Sequence, residues 1–327
     1  MKISVSFISA KLKIKGHQLN RFLLSALFSV QILSGVCLAA TEEEPLDFSF
    51  IKSPPGKFIQ LESHRLHVTC VGEGPVTVLF EPGLGGSAFE WHLIQQQIAE
   101  QAVACVYDRA GYGWSDPSPF TGNVRQLASE ANQMLDQVSD SKKLILVGHS
   151  FGGFVVRMLA KYRQQQVIGM VLVDASHEDQ LERMETPGKT KILPSGNTFV
   201  INRTNIPDNL PKETGRKVAA FLRMRKSYVA TEREMRSFRE SVNQVKLLDD
   251  NYSFPLTVIH RGLNPMSIEK DGEERHRIWG ELQQALARLS SDGEVIVAQQ
   301  SGHHVHIDEP KLVIDAIINM LNKESSF

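Results

Sequence analysis

The sequence predicts an α/β fold, a mostly parallel eight-stranded sheet flanked by helices with a helical lid insertion, on three observations. First, VTVLFEPG (76–83), LILVGH (144–149) and VIGMVLVDAS (167–176) are continuous apolar runs rich in β-branched residues, as expected of strands buried on both faces. Second, segments of 10 to 15 residues with apolar positions at helical spacing alternate with those strands. Third, the alternation breaks once, between Ser176 and Pro255, in a charged stretch holding Pro187, Pro194, Pro207 and Pro211. The 327 residues, 42% hydrophobic, suffice for one large domain with a full core plus that insertion.

In chain order, Lys2, Lys11, Lys13, Lys15 and Arg21 precede an uncharged stretch from Phe22 to Thr41, and no acid occurs before Glu42. With Cys37 and Ala39 at the −3 and −1 positions, residues 1–40 read as a secretory signal peptide. The alternative is an uncleaved membrane anchor over residues 22–40, just long enough to cross a hydrocarbon layer of ~30 Å. Lipid attachment at Cys37 is disfavoured, because Val36 stands where a small residue is wanted. The expected location is therefore exported, periplasmic or secreted, with membrane contact only through that segment. The whole chain carries 36 basic and 37 acidic residues; without residues 1–40 it carries 31 and 37, a net of −6, which excludes a nucleic-acid surface.

Residues 41–57 form a linker, EEEPLDF followed by Pro54, Pro55 and Gly56. The core then occupies 58–176 and 255–327. FIQLE (58–62) and RLHVTCVG (65–72) predict an opening hairpin, VTVLFEPG a strand, WHLIQQQIAEQ (91–101) a helix, AVACVYDRAG (102–111) a strand and VRQLASEANQMLDQV (124–138) a helix. Past LILVGH and VIGMVLVDAS, the insertion 177–254 offers helices over 218–229 and 231–245. In the second, Thr231 and Glu234 form a capping box, and Met235, Phe238, Val242 and Val245 give one apolar face. Such an insertion reads as a lid over the carboxyl ends of the strands, where open parallel sheets bind ligands. PLTVIHRG (255–262), ERHRIWGELQQALARL (274–289), EVIVAQQ (294–300) and PKLVIDAIINML (310–321) complete the pattern as strand, helix, strand, helix. Cys70 and Cys105 both fall in strands; two cysteines make no framework, so two buried free thiols are expected.

Chemistry concentrates at the strand ends. LILVGHSFGG passes from buried strand to helix through Gly148-His149-Ser150-Phe151-Gly152, a G-x-S-x-G turn so tight that side chains at the flanking positions meet backbone. A serine hydroxyl needs a base to take its proton. His303 in SGHHVHIDEP follows Gly302 directly after the last strand and precedes Pro310, which can open the final helix. His304 and His306 are the rival bases. A metal held by His303 and His306 is the other reading, disfavoured because no Cys or Glu ligand has matching spacing nearby.

EPGLGG, DRAGYGWSD, GHSFGG, VDASHEDQ and SGHHVHIDEP, in that order, resemble the α/β-hydrolase family from about residue 58 to the C-terminus. The resemblance implies that Ser150 is the nucleophile and His303 the general base. It also implies an oxyanion hole made by the backbone N–H groups of Phe151 and Leu84, although Pro82-Gly83 stands where the family often has His-Gly. Many members carry the acid after the next-to-last strand, where this chain has Asn264. Some take it from the strand after the elbow, which here ends in Asp174 and keeps the order Ser, Asp, His. Asp271 and Glu178 are the rivals, and a turn-capping Asp174 is the alternative use of that residue. The resemblance also makes the strands carrying Cys70 and Cys105 neighbours, so a cross-strand disulfide is the alternative to free thiols. Asp108, Arg109, Gly111 and Gly113 read as structural, with Asp108 and Arg109 paired, and Glu81 and His149 flank reactive positions.

The function implied is an exported serine hydrolase cleaving ester-type acyl bonds of a small or lipid-like substrate, with no metal or cofactor. A serine at the elbow argues against epoxide-hydrolase and dehalogenase chemistry, which in this fold resembles attack by a carboxylate. Lactone, thioester or carbon–carbon bond hydrolysis, a non-catalytic ligand-binding member and an envelope structural protein are the alternatives.

Overall fold

The structure is a computed structural model, and it describes residues 49–184, 209–265 and 267–325. The expected signal peptide or anchor, residues 41–48 of the linker and residues 185–208 of the insertion lie outside the described residues. Among the described residues no helix is long and apolar enough to cross a membrane.

Eight strands build one sheet: β1 (Lys57–Gln60), β2 (Arg65–Val71), β3 (Val76–Glu81), β4 (Val103–Tyr107), β5 (Lys143–His149), β6 (Val167–Val173), β7 (Leu256–Arg261) and β8 (Gly293–Ala298). Their order across the sheet is β1-β2-β4-β3-β5-β6-β7-β8. β1 and β2 form the expected hairpin and β2 runs antiparallel to β4, while every pair from β4 to β8 is parallel. The helices are α1 (His92–Ile98), α2 (Val124–Val138), α3 (Gly152–Tyr162), α4 (Gln180–Met184), α5 (Lys212–Leu222), α6 (Arg225–Arg236), α7 (Phe238–Lys246), α8 (Gly272–Ala287), α9 (Val305–Asp308) and α10 (Pro310–Ser325).

The period-2 alternation of a strand sorts the apolar runs into two cores. On β5, Leu144 and Leu146 face a layer with Leu127, Met134, Phe154 and Leu159 of α2 and α3. Ile145 and Val147 face the other, with Ile94 and Ile98 of α1 and Val313 and Ile317 of α10. A run buried on both faces therefore carries no polar alternation, which is why it reads as one block in the sequence.

Two expectations need correction. Cys70 and Cys105 are not free thiols: they are register partners across β2 and β4, with Cα atoms 4.1 Å apart, and are joined as a disulfide. Directly opposed residues on an antiparallel pair meet side chain to side chain, a proximity that composition cannot show. Nor does Thr231 open a helix. It lies inside α6, bonded through its hydroxyl to the Ser227 carbonyl (2.8 Å), and the helical run breaks at Ser237 between α6 and α7. Val242 and Val245 are buried as expected, whereas Met235 is exposed.

Candidate active site

Ser150 sits where β5 turns into α3 within two residues. Its φ of 51° is left-handed, a conformation that only a firmly held turn imposes on a side-chain-bearing residue. The hold is visible in the backbone: Ser150 N–H donates to the Val173 carbonyl (3.0 Å), and the Ser150 carbonyl accepts from Ser176 N–H (2.9 Å). A Cβ on Gly148 would come 2.8 Å from the Gly152 carbonyl oxygen, and one on Gly152 would come 2.6 Å from that of Pro82. Both glycines of the motif are thus sterically required.

Three strand ends meet at Ser150. His303, in the loop after β8, places Nε2 3.0 Å from Ser150 Oγ and Nδ1 2.6 Å from Asp174 Oδ2. This geometry suits a ring that donates from Nδ1 and accepts the hydroxyl proton at Nε2. His149 Nε2–H holds the loop from behind by donating to the His303 carbonyl (2.9 Å). The His303 ring is 37% exposed, and the Asp174 side chain is fully buried.

Asp174 also has a positive φ (42°), and its N–H donates to the Ile259 carbonyl (2.7 Å). Its Oδ1 accepts from Trp279 Nε1–H (2.7 Å) and Arg261 N–H (3.2 Å), and Oδ2 accepts from Arg261 Nη1 (2.6 Å). Burial alone would push this carboxyl up, but the His303 hydrogen bond and charge, the Arg261 charge and the Trp279 hydrogen bond outweigh it. Asp174 is held below the usual carboxylate value. The rivals are engaged elsewhere. Glu178 pairs with Arg157 (2.7 Å), Asn264 donates to Glu273 (3.1 Å), and Asp271 sits at the start of α8. His306 is buried under Trp91 with ring centroids 4.4 Å apart.

The loop Pro82–Gly86 closes through Gly86 N–H donating to the Gly83 carbonyl (3.0 Å). A Cβ on Gly83 would lie 3.2 Å from Ser150 Cβ, so this loop abuts the elbow and carries Leu84 beside it. Phe151 stands at the N-terminus of α3, where a backbone N–H has no intrahelical partner.

Arg109, wholly buried, fixes the loop by donating to the carbonyls of Pro82 (2.6 Å) and Gly83 (2.7 Å), to Glu81 (2.8 Å), and through Nε and Nη2 to Glu234 of α6 (2.8 and 2.9 Å). The expected Asp108–Arg109 pair is absent. Consecutive side chains leave a strand end on opposite sides. Asp108 therefore turns to His67 Nδ1 (3.1 Å) and Trp114 N–H (3.2 Å), with Gly113 pressed against its carboxylate. Arg261 and Trp279 lie in no motif, so nothing local marks them; Arg109 lies in one, but its partners stand 28 and 125 residues away in the chain.

A family model described as "Alpha/beta hydrolase family" matches residues 78–316. The uncharacterized protein YqjL of Bacillus subtilis (strain 168) is 25% identical over 254 residues, 76% of this chain and 85% of its own length. A Vigna radiata epoxide hydrolase mutant aligns with a TM-score of 0.63 at 15% identity, over 82% of this chain and 98% of that structure. A thermophilic esterase from Thermogutta terrifontis aligns with a TM-score of 0.61 at 19% identity, over 82% of this chain and 99% of that structure.

Proposed function

The chain belongs to the alpha/beta hydrolase family, and on that premise we propose that it is an exported serine hydrolase of ester-type acyl bonds acting on a small or lipid-like substrate. The observation that carries the reading is the continuous relay from Ser150 Oγ through the His303 ring to the buried Asp174 carboxylate. In the proposed cycle Ser150 Oγ attacks the acyl carbon as His303 Nε2 takes its proton. The Phe151 and Leu84 N–H groups face the developing oxyanion. His303 then returns the proton to the leaving alcohol, and water, activated by the same ring, releases the acid from the acyl-enzyme. Asp174 stays ionised throughout, setting the tautomer and balancing the imidazolium charge. A hydroxyl at the elbow, rather than a carboxylate, supports acyl transfer over the epoxide opening named for the Vigna radiata relative. Export rests on residues 1–40, and the Cys70–Cys105 bond fits an oxidising compartment.

Labelling with a fluorophosphonate probe, followed by turnover of chromogenic esters of increasing acyl length, tests the reading. The expected result is one label on Ser150, ester turnover, and a fall of at least about a thousandfold in kcat for Ser150→Ala. Turnover above background in folded Ser150→Ala, or no label and no ester turnover in the native chain, overturns it.

A further inference from the structure

Behind the His303 loop lies a second cluster that the proposed reaction does not use. Glu90, His149 and His306 come from the turn before α1, the end of β5 and α9, and each is more than nine-tenths buried. Each offers one donor atom, and these atoms lie within 4.8 Å of one another. His306 Nε2 is 3.6 Å from Glu90 Oε2.

The hydrogen bonds show which atoms are free to ligate. His149 donates from Nε2–H to the His303 carbonyl, which leaves Nδ1 as a lone pair, and that buried Nδ1 has no hydrogen-bond partner. Neither ring nitrogen of His306 has one. Glu90 commits Oε1 to Ser87 N–H (3.0 Å) in the capping box of its turn, and Oε2 faces His306. A Cβ at position 83 would lie 2.8 Å from His149 Nδ1, so Gly83 keeps that lone pair uncovered. Two buried acceptors thus lie beside a third side chain that, as a neutral imidazole, has one N–H and cannot serve both, and a cation balances such a set.

We propose that Glu90, His149 and His306 form a binding site for a zinc-type divalent cation. Two imidazoles and one carboxylate are a donor set suited to zinc, with water completing four-coordination. His149 has the arrangement that favours ligation, its other ring nitrogen donating to a backbone carbonyl. Zinc bonds of about 2.0–2.1 Å bring tetrahedral ligands to roughly 3.4 Å apart, which the cluster reaches by side-chain movements of about 1 Å. The ion would act as a clamp that ties α9 and the turn before α1 to the support of His303, and it takes no part in the acyl transfer. Glu90 lies far upstream of His306 in the chain, so local ligand spacing does not display this set.

The test uses tag-free protein equilibrated with zinc chloride, freed of loose ion by gel filtration, and assayed by elemental analysis and chelator competition. About one zinc per chain is expected, with affinity falling at least about tenfold in Glu90→Gln and in His306→Gln, and unchanged in His92→Gln on the exposed face of α1. No retained zinc in the native chain, or native affinity in both cluster variants, overturns the site. Should either variant fail to fold, histidine ring nitrogen NMR of the native chain decides: zinc shifts two ring signals if the site exists and none if it does not. No arm measures hydrolysis, so either proposal can fail without the other.

Discussion

At the scale of single residues, Asp174 carries the sharpest prediction. Its carboxylate is rigid, buried and on the His303 ring, whereas Asp271 begins α8 in the charged stretch EKDGEE. Replacing a triad Asp by Asn costs on the order of 10⁴ in kcat in a serine protease. Asp174→Asn is therefore expected to lose at least about a hundredfold and Asp271→Asn little; near-native kcat in Asp174→Asn refutes the role. Glu81 gives a stability prediction. Burial pushes its carboxyl up to about 7, against the opposing pull of Arg109 and Tyr107, so the folded chain holds a proton that the unfolded chain has released above about 4.5. Stability present below about pH 4.5 is thus lost as pH rises through about 7. Glu81→Gln, which cannot ionise, should lack this loss, gaining on the order of 1–3 kcal/mol relative to the native chain between pH 5 and 8 in urea denaturation. Parallel pH curves for the two proteins would show that Glu81 ionises freely. Ser150, His303 and Asp174 were legible because each sits in a short motif at a strand end. Glu234 was not: its local spacing from Thr231 imitates a cap, while its burial is set by Arg109, 125 residues away.

At the scale of elements, Arg157 of α3 does for the insertion what no local motif announces. Its buried guanidinium bonds Glu178 (2.7 and 3.1 Å) just after β6 and Asp250 (2.7 Å) just before β7, so one side chain fastens both ends of 177–254. Burial would raise the Glu178 carboxyl, but the Arg157 hydrogen bonds and charge bring it down to about 2. Its stabilisation is therefore complete above about pH 4.5 and is lost as pH falls towards about 2. Glu178→Gln should cost roughly 1.5–3 kcal/mol at pH 7, and thermal melts should show the gap closing as pH is lowered. A gap that persists at the acid end would mean that packing, not charge, makes the contribution. Strand and helix identities followed from periodicity, yet the break at Ser237 did not, because the apolar spacing of 231–245 runs through it unbroken. What sets that break is tertiary: α6 reaches Arg109 through Glu234, while α7 packs Phe238 against Phe151 and Phe154.

At the scale of the whole molecule, the sheet order explains why the cysteine pair escaped a reading of composition. Only the crossing of the chain from β2 to β4, past β3, sets Cys70 against Cys105. Closing a loop of 35 residues, the bond should contribute about 3–4 kcal/mol, read as the shift in urea denaturation on adding reductant. Thiol titration of the unreduced, denatured chain should find no more than Cys37, and two further thiols would remove the bond. Intact mass from the native host should place the first residue near Ala40, whereas a full-length chain in the membrane fraction would establish an anchor. The cross-link also has a mechanical side. Tension applied between the two chain ends enters through β1 and β2, passes over the sulfur bridge to β4 and leaves towards β5, bypassing residues 71–104. That stretch contains Leu84, Gly83 and Glu90, so the covalent path of a pull that frays the outer hairpin leaves out both the loop beside Ser150 and the turn behind His303 for as long as the bridge holds.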